Sequence, residues 1–180
     1  MLFKRYAGTL LCALWCTSIA VEAEVVVIKD NGFTIKNHIT VDRSVKDSWN
    51  GLINSVGQWW PADHTWWGNS ANLTISPYAG GCFCETAGDN SAEHMRISYV
   101  EQNKLLRMTG GLGPLQGMGM YGALDWQFET TDEQQTQIIL TYRVSGLSDK
   151  ETYEGFVSVV DKVQALQLGA LGTFLTVKDN

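Results

Sequence analysis

The sequence predicts one α+β domain: a curved antiparallel sheet of about seven strands wrapped around a long C-terminal helix. Apolar and polar residues alternate in seven short stretches between residues 33 and 146, as in half-buried strands. From about residue 152 to 175, apolar residues recur instead at helical spacing. A sheet followed by one such helix buries the apolar faces of both when the sheet wraps around the helix. With 180 residues, 44% of them hydrophobic, the chain can form one sizeable core.

The first strand and the helical region after it are the earliest elements. Residues 33–41 alternate with period two, which predicts a strand. Ser44 is followed three residues later by Asp47, a spacing that resembles a capping box. Apolar residues then recur at helical spacing until Gly57, so we expect a helix from about 45 to 56 and a short helix-like segment after it.

The remaining strands form a meander. They are predicted at residues 73–75, 82–86, 93–100, 104–109, 123–128 and 136–146. Strict alternation in the third of these places His94 on the face opposite Met95 and Ile97. Glycines in the segment 110–122 formally match a dinucleotide fingerprint, but a strand rather than a helix follows, so no cofactor is predicted. We expect a bent strand there, with Met118 and Met120 on its cavity side.

The C-terminal helix carries a broad apolar arc with one amide in it. At 100° per residue, Gln167 falls near the middle of this arc. A buried amide must find partners, so Gln167 either packs against the backbone or faces a cavity. The arc is formed by Phe156, Val159, Val160, Val163, Leu166, Ala170, Leu171 and Phe174.

The N-terminus has the features of a secretory signal peptide. Lys4 and Arg5 precede an apolar run, and small-residue cleavage sites follow, ending at Ala20 or Ala23. A membrane anchor is the competing interpretation, but the run is short and contains polar residues. We therefore expect residues 1–23 to be removed, leaving residues 24–180 as a single domain with no membrane anchor. Its expected location is the bacterial periplasm.

Charge argues against nucleic acid as a partner. The formal net charge is −6. Removing residues 1–23, which hold two basic residues and one acidic residue, takes it to −7. No cluster of Lys or Arg supplies the basic surface that phosphate binding requires.

The stretch from Trp59 to Glu85 is the candidate site. It holds four of the seven tryptophans, together with His64 and two closely spaced cysteines. Large aromatic side chains beside a few polar groups are typical of a pocket for an apolar ligand, although an ordinary core would also bury them. The predicted pocket wall consists of Trp59, Trp60, Trp66, Trp67, Met118, Met120, Trp126 and Phe128, with His64, Glu85 and Gln167 orienting the ligand.

His64 and Glu85 form a candidate acid/base pair. Antiparallel pairing of the neighbouring strands could bring His64 close to residues 84–86. A desolvated carboxylate beside an imidazole could perform general acid/base chemistry of the cyclase or dehydratase type. The same pair could instead be a buried hydrogen-bonded strut, which we favour.

Cys82 and Cys84 lie on one face of a strand, with Phe83 and Glu85 on the other. Their Cα atoms should be roughly 6.6 Å apart, at the edge of disulfide geometry. We favour buried hydrophobic thiols; a redox pair is one alternative. The second alternative is a soft-metal site formed by both cysteines with His64 and His94. Because free thiols are favoured, the main prediction includes no metal. Which face of the strand lines the cavity stays open.

Local motifs and element order resemble a known superfamily. Residues 79–85, Ala-Gly-Gly-Cys-Phe-Cys-Glu, are similar to the Gly-Gly-x-Phe-x-Glu strand of heat-shock ATPase activator homologues. Residues 94–97, 105–110 and 112–116 are similar to exported bacterial proteins. The element order resembles the helix-grip fold of the SRPBCC or START-like superfamily, which includes polyketide cyclases/dehydrases and lipid carriers.

This resemblance covers roughly residues 33–176 and implies a helix-grip fold with a cleft between the sheet and the long helix. Fold alone does not determine function. We therefore expect an exported binding protein for a hydrophobic small molecule or lipid. An enzyme of the cyclase or dehydratase type is the first alternative, and a protein-interaction module that exposes its tryptophans is the second.

Overall fold

The computed structural model describes residues 21–29, 31–146 and 150–177. These residues form one antiparallel sheet of eight strands, four α-helices and two 3₁₀ turns, Ala62–His64 and Ser70–Asn72. The strands are β1 (Glu22–Lys29), β2 (Gly32–Val41), β3 (Leu73–Ile75), β4 (Cys82–Ala87), β5 (Asn90–Glu101), β6 (Leu105–Gly110), β7 (Tyr121–Thr130) and β8 (Thr136–Ser145). The helices are α1 (Val45–Asn54), α2 (Val56–Trp59), α3 (Pro114–Gly117) and α4 (Lys150–Val177).

The strand order is β1-β2-β8-β7-β6-β5-β4-β3, with every neighbouring pair antiparallel. The long helix α4 packs against β2 and β1. This arrangement confirms the predicted fold class and adds one strand. The extra strand is β1, in residues that the sequence predicts to be the end of the signal peptide and a short leader.

The N-terminal signal prediction falls mostly outside the described residues. Of the predicted peptide, residues 1–23, only the last three are described, and Glu22 and Ala23 pair with His38 and Asn37 of β2. Across the described ranges, no helix has both the length and the apolarity needed to cross a bilayer.

Ser44 caps the start of α1, as the spacing to Asp47 predicts. Ser44 has an extended backbone, and its Oγ accepts a hydrogen bond from the Asp47 amide at 3.1 Å. This bond satisfies one of the amides that the first helical turn leaves unpaired. The helix ends at Asn54, and after Ser55 the chain forms the separate turn α2.

A β-bulge in β5 changes which side chains face the core. Phe83 pairs with Met95 and Cys84 pairs with Glu93, so His94 is the extra residue. A bulge interrupts the alternation of the strand, and consequently both His94 and Met95 are buried. The prediction that His94 faces away from Met95 is therefore wrong.

The glycine-rich connection between β6 and β7 is a loop containing α3, and the predicted bent strand is absent. Gly113, just before α3, has φ = 60°, a left-handed conformation that glycine adopts without strain. The Leu112 amide donates to the Tyr142 hydroxyl at 3.0 Å, and that hydroxyl donates to the Gly110 carbonyl at 3.1 Å. These bonds fix the loop against β8. Met118 and Met120 therefore do not share a face: Met118 is partly exposed and Met120 is buried.

Helix α4 is rotated relative to the predicted arc. Val159 and Leu166, both expected to face inward, are more than half exposed. The buried side chains instead follow a stripe with spacings of three, four and seven residues, consisting of Tyr153, Val157, Gln164, Gln167, Leu168, Leu171 and Leu175. The apolar residues of this helix cover much of its circumference, so hydrophobicity alone determines its orientation poorly.

Candidate functional site

A cavity of about 420 Å³ lies between α4, the segment around residues 60–66 and the loop between β6 and β7. Its volume falls within the range of roughly 300–1,000 Å³ that is usual for small-molecule sites. Most of its lining is apolar. The lining residues are Trp60, Asp63, His64, Thr65, Trp66, His94, Leu112, Gly113, Pro114, Leu115, Met118, Tyr142, Phe156, Val159, Val160, Val163, Gln164 and Gln167.

Part of the predicted pocket wall lines this cavity. Trp60, Trp66, Met118 and Gln167 do so. Trp66 and Met118 are also partly exposed, which places them where the cavity meets solvent.

The other predicted wall residues lie elsewhere, which corrects their assignment. Trp59, Met120, Trp126 and Phe128 are buried in the core, and Trp67 is a partly exposed neighbour of the site. The Trp59 ring packs edge-on against Trp126 at 6.2 Å, and its Nε1 donates to the Gly51 carbonyl at 3.1 Å. Since these contacts occupy both its ring and its N–H, Trp59 has a packing role.

Glu85 is fully buried on β4, and both its oxygens accept hydrogen bonds. The Trp66 amide donates to Oε2 at 2.9 Å and the Trp67 amide to Oε1 at 3.1 Å. His94 Nε2 lies 2.9 Å from Oε2. A buried carboxylate needs such partners to offset its lost hydration. Glu85 therefore holds both the tryptophan segment and the His94 ring in place.

His94 is held between two aromatic rings at the cavity wall. Its ring is nearly parallel to that of Trp66, with centroids 6.5 Å apart, and stacks on Phe83 at 5.0 Å. Burial lowers the pKa of His94 below its ordinary value, because desolvation outweighs the opposing effects of the hydrogen bond and negative charge of Glu85. A neutral His94 that donates from Nε2 to Glu85 leaves Nδ1 as the ring nitrogen available to a ligand.

His64 is not the histidine that pairs with Glu85, which corrects the predicted acid/base pair. It lies in the 3₁₀ turn Ala62–His64, and its carbonyl accepts a hydrogen bond from Trp60 Nε1 at 3.1 Å. The backbone amides of Trp66 and Trp67, rather than the His64 ring, reach Glu85. His64 does line the cavity, and its buried Nδ1 has no hydrogen-bond partner among the described residues.

The structure shows which face of β4 is buried, although no residue of this strand lines the cavity itself. Phe83 and Glu85 are buried on the inner face, whereas Cys82 and Cys84 are half-buried on the other. The two cysteines form a disulfide with Cα atoms 5.4 Å apart, closer than an ideally extended strand predicts and within the usual disulfide range. The expectation of free, buried thiols is therefore wrong.

The alternative of a soft-metal site at Cys82, Cys84, His64 and His94 is not supported. The disulfide removes the two thiolates that such a site needs, and His94 lies on the inner side with Glu85. Among the described side chains, no group of three or more His, Cys, Asp or Glu could hold a metal ion.

Sequence reasoning missed the pairing of His94 with Glu85, and it missed Gln164 and Tyr142 as residues of the cavity. His94 is brought to Glu85 by the β4–β5 hairpin, in which Glu85 pairs with Ala92. The short turn at Gly88 was the available signal, since it limits the register of that hairpin. Gln164 and Tyr142 gave no comparable signal, because their position in the cavity depends on the rotation of α4 and on the path of the β6–β7 loop.

Comparison with known proteins identifies the fold. No family model matches the sequence, and no curated protein matches it. A conserved protein of unknown function from Enterococcus faecalis is similar in structure, with a TM-score of 0.59, 13% identity and coverage of 85% of this chain and 77% of that one. The Aha1 dimer from Colwellia psychrerythraea is also similar, with a TM-score of 0.57 and 15% identity. The match covers 82% of this chain and 98% of that one.

CalU16 from Micromonospora echinospora is a third similar structure, with a TM-score of 0.52 and 14% identity, covering 89% of this chain and 86% of that one. At these identities the likeness shows fold and not function. The eight-stranded antiparallel sheet and long C-terminal helix, together with these structural neighbours, identify a helix-grip fold.

Proposed function

We propose that this chain is an exported binding protein for a hydrophobic small molecule or lipid held between the sheet and α4. The observation that carries the proposal is the cavity of about 420 Å³ with an apolar lining. Apolar surface gains free energy when a ligand removes it from water, at about 25 cal/mol per Å². Trp60 and Trp66 offer flat aromatic surface to such a ligand, and Val160 and Val163 offer aliphatic surface from α4.

Export and the finer family assignment belong to the same proposal. The signal-like N-terminus and the negative charge of the domain support a periplasmic protein that does not bind nucleic acid. Structural likeness to the Aha1 dimer and CalU16 is compatible with the START-like superfamily and its branch of heat-shock ATPase activator homologues. Within that superfamily, ligand binding between sheet and helix is the role that best fits this cavity.

Native mass spectrometry of protein purified from the periplasm of its own host tests this function. We expect an added mass that dissociates from the folded protein as a lipid or other apolar molecule. Val163→Trp, which fills the cavity from α4, should lose the added mass. Val177→Trp adds the same ring at an exposed position and should keep it. A clean apo mass for the wild-type protein would contradict the proposal.

A second candidate is an acid/base enzyme, favoured by the contact between His94 and Glu85 at the cavity wall. In this arrangement His94 would exchange the proton through Nδ1, and Glu85 would orient the ring. His94→Gln keeps an N–H group near Glu85 but removes the base. If turnover of candidate polyketide or aromatic substrates by the wild-type protein persisted in this variant, the enzyme hypothesis would fail.

The alternative of a protein-interaction module has weaker support. Such a module needs a contiguous exposed apolar patch. Of the four tryptophans in the candidate stretch, Trp66 and Trp67 are partly exposed, but Trp59 and Trp60 are buried. Trp66 also stacks on His94 and lines the cavity, so its position fits a ligand site.

A further inference from the structure

The cavity contains polar atoms that the described residues leave without partners. Gln164 is 1% exposed, and its Nε2 donates to Gln167 Oε1 at 3.1 Å. The buried Oε1 of Gln164 has no hydrogen-bond partner among the described residues, nor does the buried Nδ1 of His64. An unpaired buried carbonyl oxygen is costly unless something supplies a donor. Both side chains line the same cavity.

The ionisable groups around the cavity indicate the charge of its occupant. None of its described lining residues is Lys or Arg. Asp63 adds a carboxyl group at the exposed edge. The remaining ionisable side chains are His64, His94 and Tyr142, and the hydroxyl of Tyr142 already bonds to Leu112 and Gly110. A carboxylate or phosphate ligand would therefore lie in an apolar space without a permanent counter-charge, which is unfavourable.

We infer that the ligand of this cavity is an uncharged alcohol, an apolar skeleton whose hydroxyl group donates a hydrogen bond to Gln164 Oε1. This inference rests on the proposed binding function. The amide oxygen of Gln164 can only accept, so it selects a ligand that carries a donor. His64 Nδ1 is a second buried polar atom in the lining of the same cavity. Because burial lowers the pKa of His94, its ring favours the uncharged form and offers no positive charge to an anionic ligand. This also supports a neutral ligand.

Isothermal titration calorimetry at pH 7 with decanol, decyl methyl ether and decanoate tests this inference. The three probes share an alkyl chain, but the ether lacks the donor and decanoate carries a charge. We expect decanol to bind roughly three- to tenfold more tightly than the ether, as one hydrogen bond to a buried neutral acceptor implies. Decanoate should bind more weakly than decanol.

Two variants separate a selective contact from a structural one. Gln164→Met keeps the side chain similar in size but removes the acceptor, so the ratio of the ether and decanol dissociation constants should fall to about one. Gln102→Met, in an exposed turn, should leave the ratio unchanged. A Gln164 that only supported the helix would weaken all three probes together and leave their ratio intact, which would overturn the inference.

The remaining outcomes distinguish the two proposals. Equal affinity of the wild-type protein for all three probes would overturn the alcohol inference and leave the apolar binding function standing. Tightest binding of decanoate would do the same. If none of the three probes bound to the wild-type protein, the result would count against both proposals.

Discussion

Two buried carboxylates in this molecule have different surroundings. Asp125 on β7 is bonded by Arg107 from β6, at 2.6 and 3.0 Å, and by Arg143 from β8, at 3.1 Å. Both arginines are about half exposed and carry permanent charges. Glu85 on β4 is held by two backbone amides and by His94, whose charge depends on pH.

This difference indicates what each carboxylate does. Asp125 ties three adjacent strands together, and its partners reach water if it is removed. Glu85 fixes the tryptophan segment and a histidine at the cavity wall. Its bond to His94 is buried, and its bonds to the Trp66 and Trp67 amides are partly buried. Only Glu85 therefore connects the stability of the fold to the geometry of the candidate site.

Replacement of Glu85 should give the largest effect. Glu85→Gln puts an NH₂ group where one oxygen now accepts a backbone N–H, so at least one amide donor at this largely buried site loses its acceptor. We expect a loss of about 3 kcal/mol in the free energy of unfolding. Urea denaturation followed by tryptophan fluorescence measures it. A loss below that of the corresponding Asp125 variant would break the distinction between the two sites.

Replacement of Asp125 is the matched comparison. Asp125→Asn keeps the shape of the side chain but removes its charge, and Arg107 and Arg143 can then be hydrated. We expect a loss of about 1 kcal/mol, measured in the same way, because ion pairs with exposed partners contribute little. High salt should reduce this difference between wild type and variant. Destabilisation that did not depend on salt would contradict the view that Asp125 is held by ion pairs with solvent-exposed arginines.

The pH dependence of stability should give a smaller effect, specific to His94. Because its pKa is lowered in the folded protein, the unfolded chain binds more protons between that value and about 6.5. Stability should therefore fall as the pH drops through 6.5, by at most about 1.4 kcal/mol per pH unit.

His94→Gln should lack this component, and thermal unfolding at a series of pH values would reveal the difference. Gln102→Met, in an exposed turn, is the control and should retain the wild-type pH dependence. If His94→Gln and wild type showed the same profile, the folded protein would not lower the pKa of His94.

The sequence predicts the fold better than it predicts the site. Period-two alternation in β2 and the helix cap at Ser44 depend on neighbouring residues, and both were predicted correctly. The position of His94 depends on a one-residue bulge between β4 and β5, which strict alternation cannot represent. Likewise, the rotation that buries Gln164 is set by tertiary packing of a helix whose apolar residues are spread widely around it.

The candidate stretch shows the same limit. Its content suggested a pocket wall, and Trp60 and Trp66 do line the cavity. Trp59 is placed in the core by its contacts with Gly51 in the preceding helix and with Trp126, which comes from a distant part of the chain. A tryptophan in the core and a tryptophan in a pocket wall look alike in sequence, because both bury the same apolar surface.

Titration of purified, delipidated protein with the neutral fluorescent probe N-phenylnaphthylamine tests the central claim most directly. We predict one probe molecule bound per chain, with at least tenfold weaker binding to Val163→Trp and unchanged binding to Val177→Trp. Equal affinity of all three proteins for the probe, or no saturable binding to any of them, would contradict the claim that the cavity between the sheet and α4 is a ligand site.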